Sequence, residues 1–227
     1  MAAAALAATV LYPALAFAAP GGLFGPSGTT VVTPEAANRF AGTFDTGQGG
    51  REFTERLGAP ADGGTGALEL RTPGDDDKVQ FITDELAGSL ERFRESSYQS
   101  LRDPASEAGA FPSFQIAIDA NGGELEPRDL YLLTFVPPAG PAGVWTRFDL
   151  GSAGWCTTHQ IGRVDAYREC RDGGARRSLD EIMDAFPDVS VYAAGVNQGA
   201  GNAGLVGAVD LIRVGNLTYD FEPSAAP

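Results

Sequence analysis

The 227-residue chain has one histidine and two cysteines, so it holds few of the residues from which most metal centres and nucleophilic triads are built. A Ser-His-Asp triad would have to use His159, yet the nearby Ser152 stands in Gly-Ser-Ala-Gly and not in the Gly-x-Ser-x-Gly of a nucleophile elbow. A zinc site needs more ligands than two thiols. The sequence therefore argues against both kinds of chemistry.

Positive charge is also scarce. The chain carries 16 Lys and Arg against 30 Asp and Glu, for a net charge of −14. Because a polyanion would be repelled, nucleic acid and anionic lipid are excluded as expected partners. Cations and neutral ligands stay open, and solubility outside the cell would account for the charge equally well.

The first 18 residues contain no charged side chain and end in Ala16-Phe17-Ala18, an A-x-A cleavage pattern. We interpret residues 1–18 as a signal peptide; it lacks the Lys or Arg that normally opens one, which fits a start inside a longer peptide. A membrane anchor is the alternative, but Pro13 interrupts the apolar run. No second run of membrane length follows, so we expect a secreted, extracellular protein without a membrane span after cleavage.

The two cysteines, Cys156 and Cys170, enclose 13 residues. An even cysteine count in an exported chain predicts a disulfide bond between them. In the chain-entropy model, closing such a loop would stabilise the fold by about 3 kcal/mol.

Short alternating runs dominate the chain after a Gly- and Pro-rich stretch, residues 19–38, which we interpret as a flexible lead-in. Eleven runs with turn residues between them predict strands. They are 40–44, 67–71, 78–83, 97–101, 114–118, 130–136, 144–150, 155–160, 190–196, 208–214 and 217–221. A capping box at Ser178 predicts a helix over 179–186, and a second helical turn is possible at 86–93.

This pattern predicts an all-β fold, an antiparallel two-sheet β-sandwich of the jelly-roll type with one or two short helices on its edge. No fixed-period repeat and no linker interrupts the remaining chain, so we expect a single domain over residues 39–223.

Three segments carry a family resemblance. Residues 42–47 read Gly-Thr-Phe-Asp-Thr-Gly, residues 66–72 read Gly-Ala-Leu-Glu-Leu-Arg-Thr, and residues 208–214 read Ala-Val-Asp-Leu-Ile-Arg-Val. This order resembles jelly-roll carbohydrate-binding modules and galactose-binding-like domains, and the middle of the chain is similar to uncharacterised secreted bacterial proteins. The resemblance implies a structural calcium with Asp45 and Asp210 as ligands. The alternative is that Asp45 caps a turn and Asp210 lies on a solvated strand face.

Sugar binding requires aromatic platforms and side chains that hydrogen-bond hydroxyl groups. The candidate contacts are Trp145, Arg147, Tyr98, Arg102, Asn197 and Gln198. We therefore predict a non-catalytic extracellular binding module for a glycan or polysaccharide. The alternative for the tryptophans and tyrosines is a place in the core, and the alternative for the amides is an ordered loop that bonds its own backbone.

Two further functions stay open. One is a surface structural or adhesion domain without a small ligand, which would bury all its aromatic residues. The other is a secreted glycoside hydrolase that uses a carboxylate pair, for which Glu85, Glu124 and Asp149 are possible members. The run Asp75-Asp76-Asp77 lacks the spacing of a calcium loop, and a hairpin turn accounts for it.

If calcium joins Asp45 to Asp210, adding calcium should raise the melting temperature and a chelator should lower it, because binding to the folded state alone stabilises that state. Differential scanning fluorimetry measures both. A melting temperature that moves in neither direction would remove this site.

Overall fold

The computed structural model describes residues 28–37, 39–42, 45–126, 129–157 and 176–224. Within these ranges the chain forms two packed seven-stranded sheets, here called sheet A and sheet B, with two short helices. The predicted all-β sandwich is confirmed. The signal peptide predicted over residues 1–18 lies outside the described residues.

Each sheet draws its strands from the whole length of the chain. Sheet A contains β1 (Gly28–Val32), β3 (Gly50–Thr54), β4 (Ala67–Thr72), β7 (Ser96–Arg102), β10 (Thr146–Asp149), β13 (Leu205–Val214) and β14 (Leu217–Phe221). Sheet B contains β2 (Phe40–Ala41), β5 (Val79–Thr83), β6 (Gly88–Ser89), β8 (Ser113–Asp119), β9 (Leu130–Phe135), β11 (Cys156–Thr157) and β12 (Ser190–Gln198).

All eleven predicted runs contain a strand, while β1, β3 and β6 were not predicted. Strand β1 corrects the flexible lead-in, because residues 28–32 pair in parallel with β14. Its sequence Gly-Thr-Thr-Val-Val is rich in β-branched residues, which favour strands. The Gly- and Pro-rich residues around it concealed that signal.

Strand β13 organises sheet A. Strand β7 pairs along one side of it, while on the other side β4 pairs with Leu205–Val209 and β14 pairs with Ile212–Val214. In the ladder with β7 the register shifts between Asp210 and Arg213, and Leu211 adopts a positive φ of 46°. A non-glycine residue in this conformation is uncommon, so the bulge is a strained point of the backbone.

The core lies between the inner sides of the sheets, where apolar residues occupy alternate strand positions. Aromatic rings fill it in two clusters. One contains Phe40, Phe53, Phe81, Tyr219 and Phe221, and the other contains Tyr98, Phe111, Phe114, Phe135, Phe148 and Trp155. Large planar side chains thus hold both halves of the sandwich together.

The predicted capping box forms at helix α1 (Leu179–Ala185), where the Ser178 hydroxyl accepts from the Glu181 N–H and the Glu181 carboxylate accepts from Ser178 N–H. Leu179 and Ile182 anchor this helix in the core. The second predicted turn is a 3-10 helix over Leu90–Glu95, later than expected. Neither described helix has the length and apolar character needed to cross a membrane.

Gly195 in β12 lets two strands approach closely. A Cβ atom added there would lie 2.2 Å from the Phe81 carbonyl oxygen of β5. We expect Gly195→Ala to lower the free energy of unfolding by about 1–3 kcal/mol, because the clash is with backbone that cannot rotate away. Urea denaturation measures this, with Gly50→Ala as the control, since a Cβ added at Gly50 meets nothing within 4 Å. Equal losses in both variants would contradict the packing argument.

Candidate functional site

One group of polar and aromatic side chains stands on the outer side of sheet A, near its β10 edge. Arg147 is exposed and lies opposite the half-buried Gln99 of β7. Trp145, half-buried, immediately precedes β10, and its neighbour Val144 is 49% exposed. Because Phe148 enters the core, strand alternation directs Arg147 outward. We call Trp145, Arg147 and Gln99 the Trp145 surface.

Arg102 supports the loop that leads to this surface. Its Nη2 donates to the Gly140 carbonyl at 3.3 Å and its Nη1 to the Ala108 carbonyl at 3.4 Å. The Arg102 carbonyl in turn accepts from Gly143 N–H at 2.8 Å. The predicted ligand contact at Arg102 is thus occupied with loop carbonyls, and the residue acts on the site through the position of the loop before Trp145.

Tyr98 belongs to the core and not to a ligand surface. It is fully buried among Phe114, Phe135 and Phe148, and its hydroxyl donates to the Pro112 carbonyl at 2.8 Å. Burial raises the pKa of this hydroxyl well above its ordinary value. A ligand-stacking role predicted for Tyr98 is therefore corrected to a packing role, because strand alternation directs it inward.

Asn197 and Gln198 end strand β12 of the other sheet and are 6% and 1% exposed. Asn197 Nδ2 donates to the Ser113 hydroxyl, while Gln198 Nε2 donates to the Thr72 hydroxyl and the Leu205 carbonyl. Gln198 thereby joins β12 of sheet B to β4 and β13 of sheet A. The structure does not bring these two amides to the Trp145 surface, and their bonds fit the fold-supporting alternative.

Gln80 lies directly opposite Asn197, on the outer side of sheet B, and is fully buried. Its Nε2 donates to Gln115, whose own Nε2 donates to the Thr134 hydroxyl at 3.0 Å. In the part of the chain that the structure describes, the side-chain oxygens of Gln80, Asn197 and Gln198 have no hydrogen-bond partner. Buried oxygens of this kind are where internal water molecules are found in proteins.

Across β7 from Arg147, the row of outward residues continues through Gln99 to Asp210 of β13. Asp210 is fully buried, beneath the loop Pro60–Gly66, where a Cβ atom added to Gly63 would lie 2.7 Å from its Oδ2. Asp220 and Glu222 lie beside it at the end of β14. We call Asp210, Asp220 and Glu222 the acidic pocket.

Backbone N–H groups donate to all three carboxylates of the acidic pocket, and Gly64 supplies the one that reaches Asp220. Glu222 accepts from the N–H groups of Thr65 and Gly66, and Asp210 Oδ1 accepts from Leu211 N–H at 2.7 Å and Phe221 N–H at 2.8 Å. Within the described ranges, Asp210 Oδ2 and Asp220 Oδ1 have no hydrogen-bond partner. Burial, opposed in part by these two N–H groups, raises the pKa of Asp210 to about 7.

A second buried acid on the same side of the sheet is fully paired. Glu69 accepts from Arg56 and Arg71, and Arg56 also bonds Asp103 at 2.6 Å. A hydrogen bond from Ala105 N–H and the pair with Arg56 hold the pKa of Asp103 below its ordinary value. The contrast is informative, because arginine neutralises these carboxylates while the acidic pocket contains only acids.

The predicted calcium ligands do not come together in a metal site. Asp45 accepts from Gln80 N–H of β5 at 2.8 Å and is paired with Arg51 of β3. The Asp45 carboxylate is therefore neutralised by the Arg51 guanidinium. Its contacts share no residue with those of Asp210. Among the described residues no three Asp, Glu, His or Cys side chains are arranged to hold a metal ion. These residues do not fit the calcium bridge, and Asp210 is not assigned as a metal ligand.

The three acids considered for hydrolysis have separate surroundings. Glu85 accepts from the Tyr219 hydroxyl and pairs with Arg39, Asp149 accepts from two N–H groups of its own turn, and Glu124 is exposed in a loop. None of the contacts of Glu85 or Asp149 involves another of the three. Cys156 is buried in β11, while Cys170 and His159 lie outside the described residues, so the disulfide stays a prediction.

Sequence reasoning missed Gln99, Asp220 and Glu222. The alternation Tyr219-Asp220-Phe221-Glu222 carried a signal, since two acids share the outer side of a strand whose other side enters the core. Gln99 could not be identified from the sequence, because only the strand register shows that it lies between Arg147 and Asp210.

Tyr98→Phe should lower the free energy of unfolding by about 1–3 kcal/mol, because it leaves the buried Pro112 carbonyl without a donor. Thermal or urea denaturation measures the loss. Tyr192→Phe is the control, as its ring is only half-buried. An unchanged stability in Tyr98→Phe would show that water reaches the Pro112 carbonyl.

Comparison of the chain with protein-family models, with curated proteins and with solved structures finds no match. The functional argument for this chain therefore rests on its own residues and their arrangement.

Proposed function

We propose that this chain is a secreted, non-catalytic domain that binds a neutral glycan through the Trp145 surface. The observation that carries the proposal is the position of Trp145, which stays partly exposed beside an exposed guanidinium and a half-buried amide. The other tryptophan, Trp155, is fully buried. An indole left at the surface next to hydrogen-bonding groups has the character of a sugar platform.

The neighbours of Trp145 supply complementary chemistry. Arg147 offers several N–H donors in a fixed plane, and Gln99 offers both a donor and an acceptor. Such groups can bond the hydroxyls at the edge of a sugar ring while the indole covers its apolar face. The loop braced by Arg102 positions the indole at the edge strand β10, which an extended polysaccharide can reach from the side.

Charge favours a neutral ligand over an acidic one. The net charge of −14 repels polyanions, and Asp149 and the acidic pocket lie on the same side of sheet A as Arg147. The secreted location and the Cys156–Cys170 disulfide belong to the same proposal. Cell-wall or environmental polysaccharides are the partner class that suits an exported domain of this kind.

The adhesion alternative predicts that all aromatic residues are buried. Trp145 departs from that pattern, and Val144 extends the exposed apolar area beside it. The position of this one residue is the reason for preferring a glycan over a purely structural role.

The purified mature domain should be retained by at least one neutral polysaccharide in a pull-down or on a glycan array. Trp145→Ala should weaken that binding by about tenfold or more, because truncation of a central aromatic residue costs on the order of 1.4 kcal/mol or more. Trp145→Phe should recover part of the affinity. Isothermal titration calorimetry with the retained oligosaccharide measures each value.

Two matched controls separate binding from folding. Arg147→Ala should weaken binding, whereas Arg213→Ala, also exposed but three residues beyond Asp210 on β13, should not. Melting temperatures of all variants should stay close to that of the unmodified domain. A folded domain that no neutral or acidic glycan retains would overturn the proposal and favour the adhesion alternative.

A further inference from the structure

We propose that the acidic pocket controls the position of the loop Pro60–Gly66 through protonation. A proton on Asp210 keeps this loop closed over the outer side of sheet A. The inference concerns a part of sheet A that is separate from Trp145, and it stands whether or not a glycan binds. It rests on a cluster of three acids in which two buried carboxylate oxygens, Asp210 Oδ2 and Asp220 Oδ1, have no hydrogen-bond partner among the described residues.

The position of Asp210 follows from the backbone. Where β13 changes its partner from β4 to β14, the ladder is interrupted, and Asp210 Oδ1 accepts the N–H groups of Leu211 and Phe221. This requirement fixes the carboxyl group beneath the loop. Its second oxygen, Oδ2, is then left against Gly63, buried and unpartnered.

The loop closes over Asp210 through the other two acids. Thr65 N–H and hydroxyl both donate to Glu222 Oε2 at 3.0 Å, Gly66 N–H donates to the same oxygen at 3.2 Å, and Gly64 N–H donates to Asp220. These bonds hold the loop only while Asp220 and Glu222 remain where they are. A third negative charge beside them acts against that arrangement.

Among the described residues, the charges that act on Asp210 at close range are negative like its own. Asp220 and Glu222 face it from the end of β14, Gly63 of the loop lies against its Oδ2 and follows the exposed Asp62, and neutral Gln99 lies opposite on β7. The nearby arginines on β4 and before it are committed to Glu69 and Asp103. Arg213 on β13 is exposed and donates to the Gly215 carbonyl.

A proton on Asp210 removes its charge, and with it the repulsion from Asp220 and Glu222. The pKa of Asp210 is raised from 3.8 to about 7, chiefly by burial, with Asp220 and Glu222 adding to the rise. Because the folded state holds this proton more tightly than the unfolded chain does, the contribution of Asp210 to stability is greatest below pH 3.8. It is lost progressively as the pH rises to about 7, and stays constant above.

The test compares the unmodified domain with Asp210→Asn, which is neutral at every pH. The melting temperature of the unmodified domain relative to the variant should fall between pH 4 and pH 7, by roughly 5 °C or more, and then stay level. Hydrogen exchange should show the amides of Thr65 and Gly66 losing protection between pH 6 and pH 8 in the unmodified domain only. A difference that is flat from pH 4 to pH 8 would overturn the proposal.

Asp103→Asn is the matched control. Its carboxylate is paired and its pKa is lowered, so the difference between the unmodified domain and this variant should be level from pH 5 to pH 8. If Asp210→Asn does not fold, carbon-13 spectra of the unmodified domain decide instead. An Asp210 carboxyl carbon that titrates near pH 7 supports the proposal, and one that titrates below pH 5 overturns it.

A calcium titration at pH 8 separates a proton from a metal ion. If a proton is the neutralising species, adding calcium should not raise the melting temperature. A rise that Asp210→Asn abolishes would overturn it, because a cation would then be the neutralising species.

Discussion

Strand β13 forms backbone hydrogen bonds with three other strands, and much of sheet A depends on that pairing. On one side the strand pairs with β7 before and after a register shift between Asp210 and Arg213, and on the other side its partner changes from β4 to β14. No regular ladder can make that change without leaving backbone N–H groups unpaired. The chain solves this with a bulge, a left-handed Leu211 and the carboxyl group of Asp210, which accepts two of the N–H groups.

That local solution explains the chemistry of the acidic pocket. A carboxyl group used to complete the backbone must be buried, and burial next to Asp220 and Glu222 gives it the chemistry of a neutral acid. The pairing register places Asp210, Gln99 and Arg147 in one outward row of sheet A, so the acidic pocket and the Trp145 surface lie at the two ends of that row. The arginines of the neighbouring network remain with Glu69 and Asp103, and this division keeps the pocket free of positive charge.

Much of this fold was predictable because alternation reports directly on burial. The runs around Phe114-Gln115-Ile116 and Leu217-Thr218-Tyr219 predicted strands that the structure contains. The capping box at Ser178 placed the helix equally well. Alternation does not show which side of a strand is covered by the rest of the fold, however, so Tyr98 and Asn197 were interpreted as ligand contacts. Tyr98 is buried in the core, and Asn197 is buried on the outer side of sheet B, where it bonds Ser113. Asp210 was singled out by resemblance, while its surroundings depend on Gly63 and Glu222, which only the fold brings near.

The parallel pair of β1 with β14 has a consequence for how the molecule assembles. These strands come from opposite ends of the described chain, at residues 28–32 and 217–221, and sheet A has its full set of strands only when they meet. Contacts between such distant segments form late, since the entropy of closing a long loop must be overcome before they contribute. We expect folding to finish with this pair, and a chain that lacks residues 28–32 would keep an unpaired β14 edge that is open to association with other strands.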